Sequence, residues 1–185
     1  MRYLCLTMAF SVCLFAASDG LAGEKQEELE TLVVAASRIP APIAKIGSSV
    51  TVIEREQFVD RQSVFVSDLL RDVPGVAVSR QGPAGALAQI RIRGAEANQV
   101  MVLIDGIKAN DPSLTDTFDF AGLTAFDVER VEVVRGPQSA LWGSDSIAGV
   151  INVITRRAEK GPTAEAFLEG GSFETINAGG RFATQ

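Results

Sequence analysis

The chain has 185 residues, of which 46% are apolar and 22% charged, the balance of an ordinary globular protein of one-domain length. Its 17 basic and 23 acidic residues leave a net charge of −6, which argues against a nucleic-acid partner, since that calls for a basic face. Histidine is absent altogether.

The first residues have the form of a targeting segment. Arg2 gives a minimal positive start, residues 3–17 are apolar apart from Thr7 and Ser11, and residues 18–22 supply the small side chains of a cleavage site. The apolar run falls short of the ~20 residues that a spanning helix requires. Residues 1–22 are therefore expected to be a signal peptide, cleaved after Ala22 or Ser18. Cys5 and Cys13 leave with it, so the exported chain has neither thiol nor imidazole. A disulfide frame, a cysteine metal site, and Ser-His or Cys-His catalysis all lack their parts. Neither a P-loop nor a G-x-G-x-x-G stretch is present, and no catalytic constellation emerges.

Residues 23–42 are expected to form a disordered tail, opening with the charged stretch GEKQEEL. Embedded in it, residues 30–38 (ETLVVAASR) set an apolar run in solvated surroundings. Two readings fit. Glu30, Thr31, Leu32, Val33, Val34, Ala35 and Ala36 are suited to joining a partner's exposed sheet edge as an added strand, or they form a first edge strand of the fold itself. Pro40 and Pro42 suit a linker.

A short strand is expected over residues 50–53 and a helical turn over 54–60. Ser63 is placed to cap a second helix, in which Val66, Leu69, Leu70 and Val73 form one apolar stripe. Pro74-Gly75 ends that helix, and a strand begins at Val76. Residues 81–85 (QGPAG) read as a turn-rich loop. Residues 89–93 then alternate, with Ile90 and Ile92 on one face. Residues 100–104 form a fully apolar strand, and Asp105-Gly106 is the strongest hairpin signal in the chain. The loop over residues 108–120 is polar with an apolar tip. Asp111, Asp116 and Asp119 cluster there, but their spacing is not that of an EF-hand, and no metal site is assigned. Residues 128–155 read as strand, Gly136-Pro137 corner, short helical turn and second strand, a βαβ-like unit.

That last segment resembles the hallmark of the plug domain of TonB-dependent outer-membrane receptors. Arg135, Gly136, Pro137, Ser139, Gly143, Gly149, Val150, Ile151, Asn152, Ile154 and Thr155 match its pattern, with Trp142 replacing the usual aromatic. P-G-V at residues 74–76, I-R-G at 92–94 and L-I-D-G at 103–106 extend the match, and residues 30–38 resemble the TonB box, nearest to that of cobalamin receptors. The resemblance implies an α+β plug over residues 43–157, with a small mixed four-stranded sheet and short flanking helices. Residues 158–185 would supply only the first strands of a barrel that in large plugged barrels has about 22. The chain is accordingly expected to be a fragment or a truncated frame.

The family further implies TonB as the partner of residues 30–36 and cobalamin as the first ligand, with a ferric siderophore or haem next. No cofactor and no catalysis are implied. Ligand contacts carry over to Arg80, Gln81, Gly82, Leu87, Gln89, Glu96, Leu114 and Thr115, and contacts with the barrel wall to Arg93 and Arg135. Pro83-Ala84 and Glu96 depart from the cobalamin pattern, which expects a Gly-Ser pair and an amide there. The alternative to a transporter is a stand-alone plug remnant that binds TonB and moves nothing.

Overall fold

The computed structural model describes residues 32–158, 161–172 and 175–184. The expected signal peptide, residues 23–29, and Glu30 and Thr31 lie outside the described residues.

Among the described residues, eleven strands and three short α-helices follow one another, joined by 3-10 turns. They are β1 (Leu32–Val33), β2 (Ala41–Pro42), β3 (Ser49–Glu54), α1 (Arg55–Asp60), α2 (Val66–Leu70), β4 (Val76–Arg80), β5 (Ala88–Ile92), β6 (Val100–Ile104), β7 (Ile107–Lys108), β8 (Val128–Arg135), α3 (Ser139–Trp142), β9 (Gly149–Thr155), β10 (Thr163–Gly170) and β11 (Ile176–Ala183). The main sheet is mixed and has the order β3-β8-β9-β6-β7. Only β6 and β9 run parallel; the other pairs are antiparallel. Four of these are the strands expected from the sequence, and the fifth, β7, adds two residues at the edge. Residues 128–155 depart from the βαβ expectation: β8 and β9 pair antiparallel, because α3 and the turn after it fold the chain straight back instead of crossing over.

One face of the sheet carries the main core. Ile53, Val131, Val133, Ile151, Val153, Val100 and Val102 meet α1, α2, the β4–β5 hairpin and Phe120. The apolar stripe Val66, Leu69, Leu70 and Val73 is buried as its spacing predicts. The helix starts at Val66 with Phe65 as its N-cap, so Ser63 does not cap it. Glu54 instead caps α1 in a reciprocal box with Gln57, and burial pushes its carboxyl above the usual range.

The second face of the sheet is also covered. Met101, Leu103, Val134 and Val150 form a smaller core with Val33 and Ala35 of the N-terminal segment, flanked by Ile46, Val50, Val52 and Trp142. The expectation of disorder over residues 23–42 is thus corrected for residues 32–42. Val33 and Ala35 are both 0% exposed, because they bury apolar surface that the sheet would otherwise present to water.

Outside the main sheet, β10 and β11 form a separate antiparallel hairpin. Among its links to the rest are Arg181 to Asp127 at 2.6 Å, Arg181 to Arg156 O at 2.5 Å, Glu165 to Arg156 at 2.5 Å, and Phe167 against Phe126 with ring centroids 4.5 Å apart.

Candidate functional site

Three regions carry the sequence-predicted site residues: the docked N-terminal segment, the loop end of the β4–β5 hairpin, and the arginine cluster at that hairpin's other end. Leu32 and Val33 pair with Pro42 and Ala41, a two-residue ladder that closes residues 32–42 into a small loop. Period-two alternation leaves Leu32 46% exposed and Val33 buried. After Val33 the chain turns. The Ser37 and Arg38 amides donate to Val34 O, and Arg38 adopts a left-handed φ of 60°.

Polar contacts fix this turn onto the sheet. The Val34 and Ala35 amides both donate to Glu132 Oε2 at 2.9 Å. The indole Nε1 of Trp142 donates to Ala35 O at 2.8 Å, and the Arg38 guanidinium lies 4.6 Å from the Trp142 ring centroid. Glu132 is itself fully buried, held by Arg130 Nε at 3.2 Å and facing Asn152 across β9, whose Nδ2 is 3.5 Å away. Five of the residues assigned to partner binding, Leu32, Val33, Val34, Ala35 and Ala36, therefore lie in one docked stretch. Glu30 and Thr31 lie outside the described residues.

At the loop end, the Gln81 amide closes the 81–87 loop on Leu87 O at 3.0 Å, and Gln81 and Gly82 are exposed. Asp119 Oδ1 accepts the Ala88 amide at 2.9 Å, so the base of this loop is tied to the 111–119 loop carrying Leu114 and Thr115. Leu114 is 42% exposed, and Thr115 sits in a left-handed conformation with φ 56°. Gln81, Gly82, Leu87, Leu114 and Thr115 thus belong to two loops sharing one anchor. Half-buried Gln89 follows Ala88 on β5.

Two other residues assigned to the ligand are placed differently. Arg80 is committed inward, donating to Ser67 Oγ at 2.9 Å and pairing with Asp68 at 3.2 Å over the Phe65 ring. Glu96 lies beyond the opposite end of β5, where it boxes with Gln99 and pairs with Arg91 at 3.3 Å.

Asp111, Asp116 and Asp119 do not form a cation cage. Asp111 caps Ser113, whose hydrogen bonds hold its carboxyl below the usual range. Asp116 pairs with Lys108 at 3.1 Å, and Asp119 serves backbone amides. Among the described residues no group of three or more His, Cys, Asp or Glu is placed to hold a metal ion.

At the opposite end of the hairpin the short motifs converge. Val76 pairs with Ile92, Gly75 O accepts the Arg93 amide at 2.7 Å, and Arg135 Nη1 donates to Pro74 O at 2.6 Å. Arg93 is exposed. Arg135 is only half-exposed: its second guanidinium nitrogen donates to Thr51 Oγ1 at 2.9 Å.

Sequence reasoning missed two polar residues that organise the site. Glu132 is one. Asn110 is the other: its side chain accepts from Val102 N at 2.8 Å and donates to Val100 O at 3.0 Å, standing in for a neighbouring strand along β6. No spacing rule marks either residue. The only cue for Glu132 is a charge inside a strand otherwise rich in valine.

A model of the family described as TonB-dependent Receptor Plug Domain matches residues 42–150. A curated relative, the vitamin B12 transporter BtuB of Vibrio vulnificus (strain CMCP6), is 41% identical over 143 residues, which is 77% of this chain and 23% of that protein. The chain therefore spans about a quarter of that relative's length. Among solved structures, the siderophore receptor PiuA of Acinetobacter baumannii superposes with a TM-score of 0.61 at 31% identity, over 75% of this chain and 18% of that one. The P. aeruginosa receptor FpvA bound to a pyoverdine gives 0.65 at 22% identity, over 80% and 19%; this last likeness concerns the fold alone.

Proposed function

Since the chain belongs to the TonB-dependent receptor plug domain family, we propose that it is the plug of an active outer-membrane transporter whose first ligand is cobalamin. The observation that carries the ligand is the 41% identity to a vitamin B12 transporter, which spans most of this chain. A ferric siderophore is the second reading, favoured by the likeness to the siderophore receptor PiuA. Both readings place the plug inside a barrel in the outer membrane, with residues 30–38 directed to the periplasm.

In this mechanism the plug performs no covalent chemistry. Ligand settles on the exposed loops over residues 81–87 and 112–117. The N-terminal segment, once released from the sheet, offers its backbone N–H and C=O groups to the sheet edge of TonB. Force applied there draws the segment away from β8 and β9. The apolar side chains of Leu32 and Val33 point to opposite sides, which suits recognition by alternate pockets.

The test is capture of the full chain by the periplasmic domain of TonB. Leu32→Pro removes one ladder donor and fixes φ, so binding is expected to fall at least tenfold, on the order of 1.4 kcal/mol. Unchanged capture would refute strand addition. For the ligand, a receptor carrying this plug is expected to retain labelled cyanocobalamin in preference to ferric siderophores in equilibrium dialysis. The reverse preference would replace the first reading with the second.

A further inference from the structure

Burying a carboxylate in an apolar sheet face is costly unless hydrogen bonds replace its hydration. Glu132 meets that condition through four donors: the Val34 and Ala35 amides, Arg130 Nε and Asn152 Nδ2. Two of the four come from a segment 97 and 98 residues away in sequence. The β1–β2 ladder extends no further than Leu32 and Val33, so the Val34 and Ala35 amides find their acceptor in Glu132.

Resting on the reading of residues 30–38 as the segment that another protein captures, we propose that Glu132 is the positioning residue that holds this segment docked. In strand addition, alternate amides of the captured segment bond to the partner edge, so of two consecutive amides at least one is needed there. Val34 and Ala35 are consecutive, and Glu132 occupies both. Docking on Glu132 and capture by a partner therefore exclude each other. Departure of the segment also leaves Glu132 with only Arg130 and Asn152, and that loss falls on β8 and β9 at the centre of the sheet. An event at the N-terminal tail is in this way felt in the middle of the domain.

Trp142 is the only tryptophan of the sequence, and its indole bonds the segment directly. It reports docking without a label. In the full chain, Glu132→Gln keeps the side-chain size but exchanges a charged acceptor for a neutral one, which weakens each bond. Amide exchange at Val34 and Ala35 is expected to accelerate about tenfold. Trp142 emission should shift toward that of a solvated indole, while Val133 and Ile151 keep wild-type protection. Capture by the TonB periplasmic domain should strengthen by the same factor.

Unchanged exchange at Val34 and Ala35 would overturn the proposal. Where Glu132→Gln also loosens Val133 and Ile151, a double-mutant cycle with Val34→Pro decides. If Glu132 holds the segment, the effect of Glu132→Gln on Trp142 emission shrinks once Val34 has lost its N–H, since only the Ala35 amide then remains to be held. An equal effect in both backgrounds assigns Glu132 to the sheet alone and overturns the latch. Failure of TonB to bind any variant, with the exchange effect intact, sinks the partner reading and leaves the latch standing.

Discussion

A methyl group on Gly149 would sit 2.3 Å from the carbonyl oxygen of Val134 and 3.0 Å from Ile92 Cδ1. Val134 belongs to β8, so the obstacle is backbone that cannot rotate away. Gly149→Ala is expected to cost about 3 kcal/mol, the upper end of overpacking, read by urea denaturation of the full chain. The glycine was legible as part of a motif, but its reason was not, since only the fold brings β8 and Ile92 against it. Glu132 shows the same limit more sharply. Period-two alternation separates Val131 and Val133 from Glu132 and Val134, yet says nothing of what covers the second face. That cover comes from Val33 and Ala35, about a hundred residues upstream, and a local pattern contains no such information. The bonds of Arg135 to Pro74 O and Thr51 Oγ1 join residues 61 and 84 positions away, which its place at the end of a strand does not reveal.

Elements whose signals are local came through the sequence well. The stripe on α2 is one case. The hairpin at Asp105-Gly106 is another: φ values of 50° and 83° give a turn of the mirror-image type that suits twisted strands. Asp105 also accepts from both the amide and the hydroxyl of Thr155, which ties the turn to the end of β9. A tie between β7 and the turn after α3 was not legible, because Lys108 and Asp145 are far apart in sequence. Lys108 Nζ lies 2.6 Å from Asp145 and 3.1 Å from Asp116. The hydrogen bond to Asp145, then that to Asp116, raises the Lys108 amine above its ordinary range, while the bond from Lys108 holds the Asp145 carboxyl below its own. The depressed carboxyl supports the fold above its unfolded range and loses that support as pH falls through its folded value. The raised amine supports the fold below its unfolded range and loses that support as pH rises through its folded value. The tie therefore spans neutral pH and opens at both extremes. Lys108→Met is expected to return the Asp145 titration upward toward the ordinary carboxylate range, measured by carboxyl NMR. An unmoved Asp145 would show that Ser144 and the local backbone set its acidity.

Taken whole, the molecule presents two surfaces of opposite character on β10 and β11. Thr163, Glu165, Phe167 and Glu169 share one face with Ala183, Arg181, Gly179 and Asn177, and this face makes the contacts to residues 126, 127 and 156. The other face pairs Ala164 with Phe182, Ala166 with Gly180, Leu168 with Ala178 and Gly170 with Ile176, so it is apolar throughout. Leu168, Ile176 and Phe182 are more than 70% exposed there, at 76%, 74% and 72%. A contiguous apolar face of this kind calls for a nonpolar partner. The reading of residues 158–185 as the first barrel strands assigns that partner to lipid chains, with the plug on the inner side. Each strand has eight residues, about 26 Å at 3.3 Å per residue, which at a tilt of about 35–45° covers about 20 Å of the roughly 25 Å apolar band of an outer-membrane barrel. A cation on the lipid side of such a strand costs up to about 2–4 kcal/mol at the bilayer midplane. Leu168→Arg in the full chain is accordingly expected to reduce flotation with phosphatidylcholine vesicles at least tenfold, whereas Glu169→Gln on the opposite face leaves it unchanged. Equal flotation of Leu168→Arg and wild type would mean that the apolar face does not meet lipid, and the hairpin would then need a protein surface to cover it.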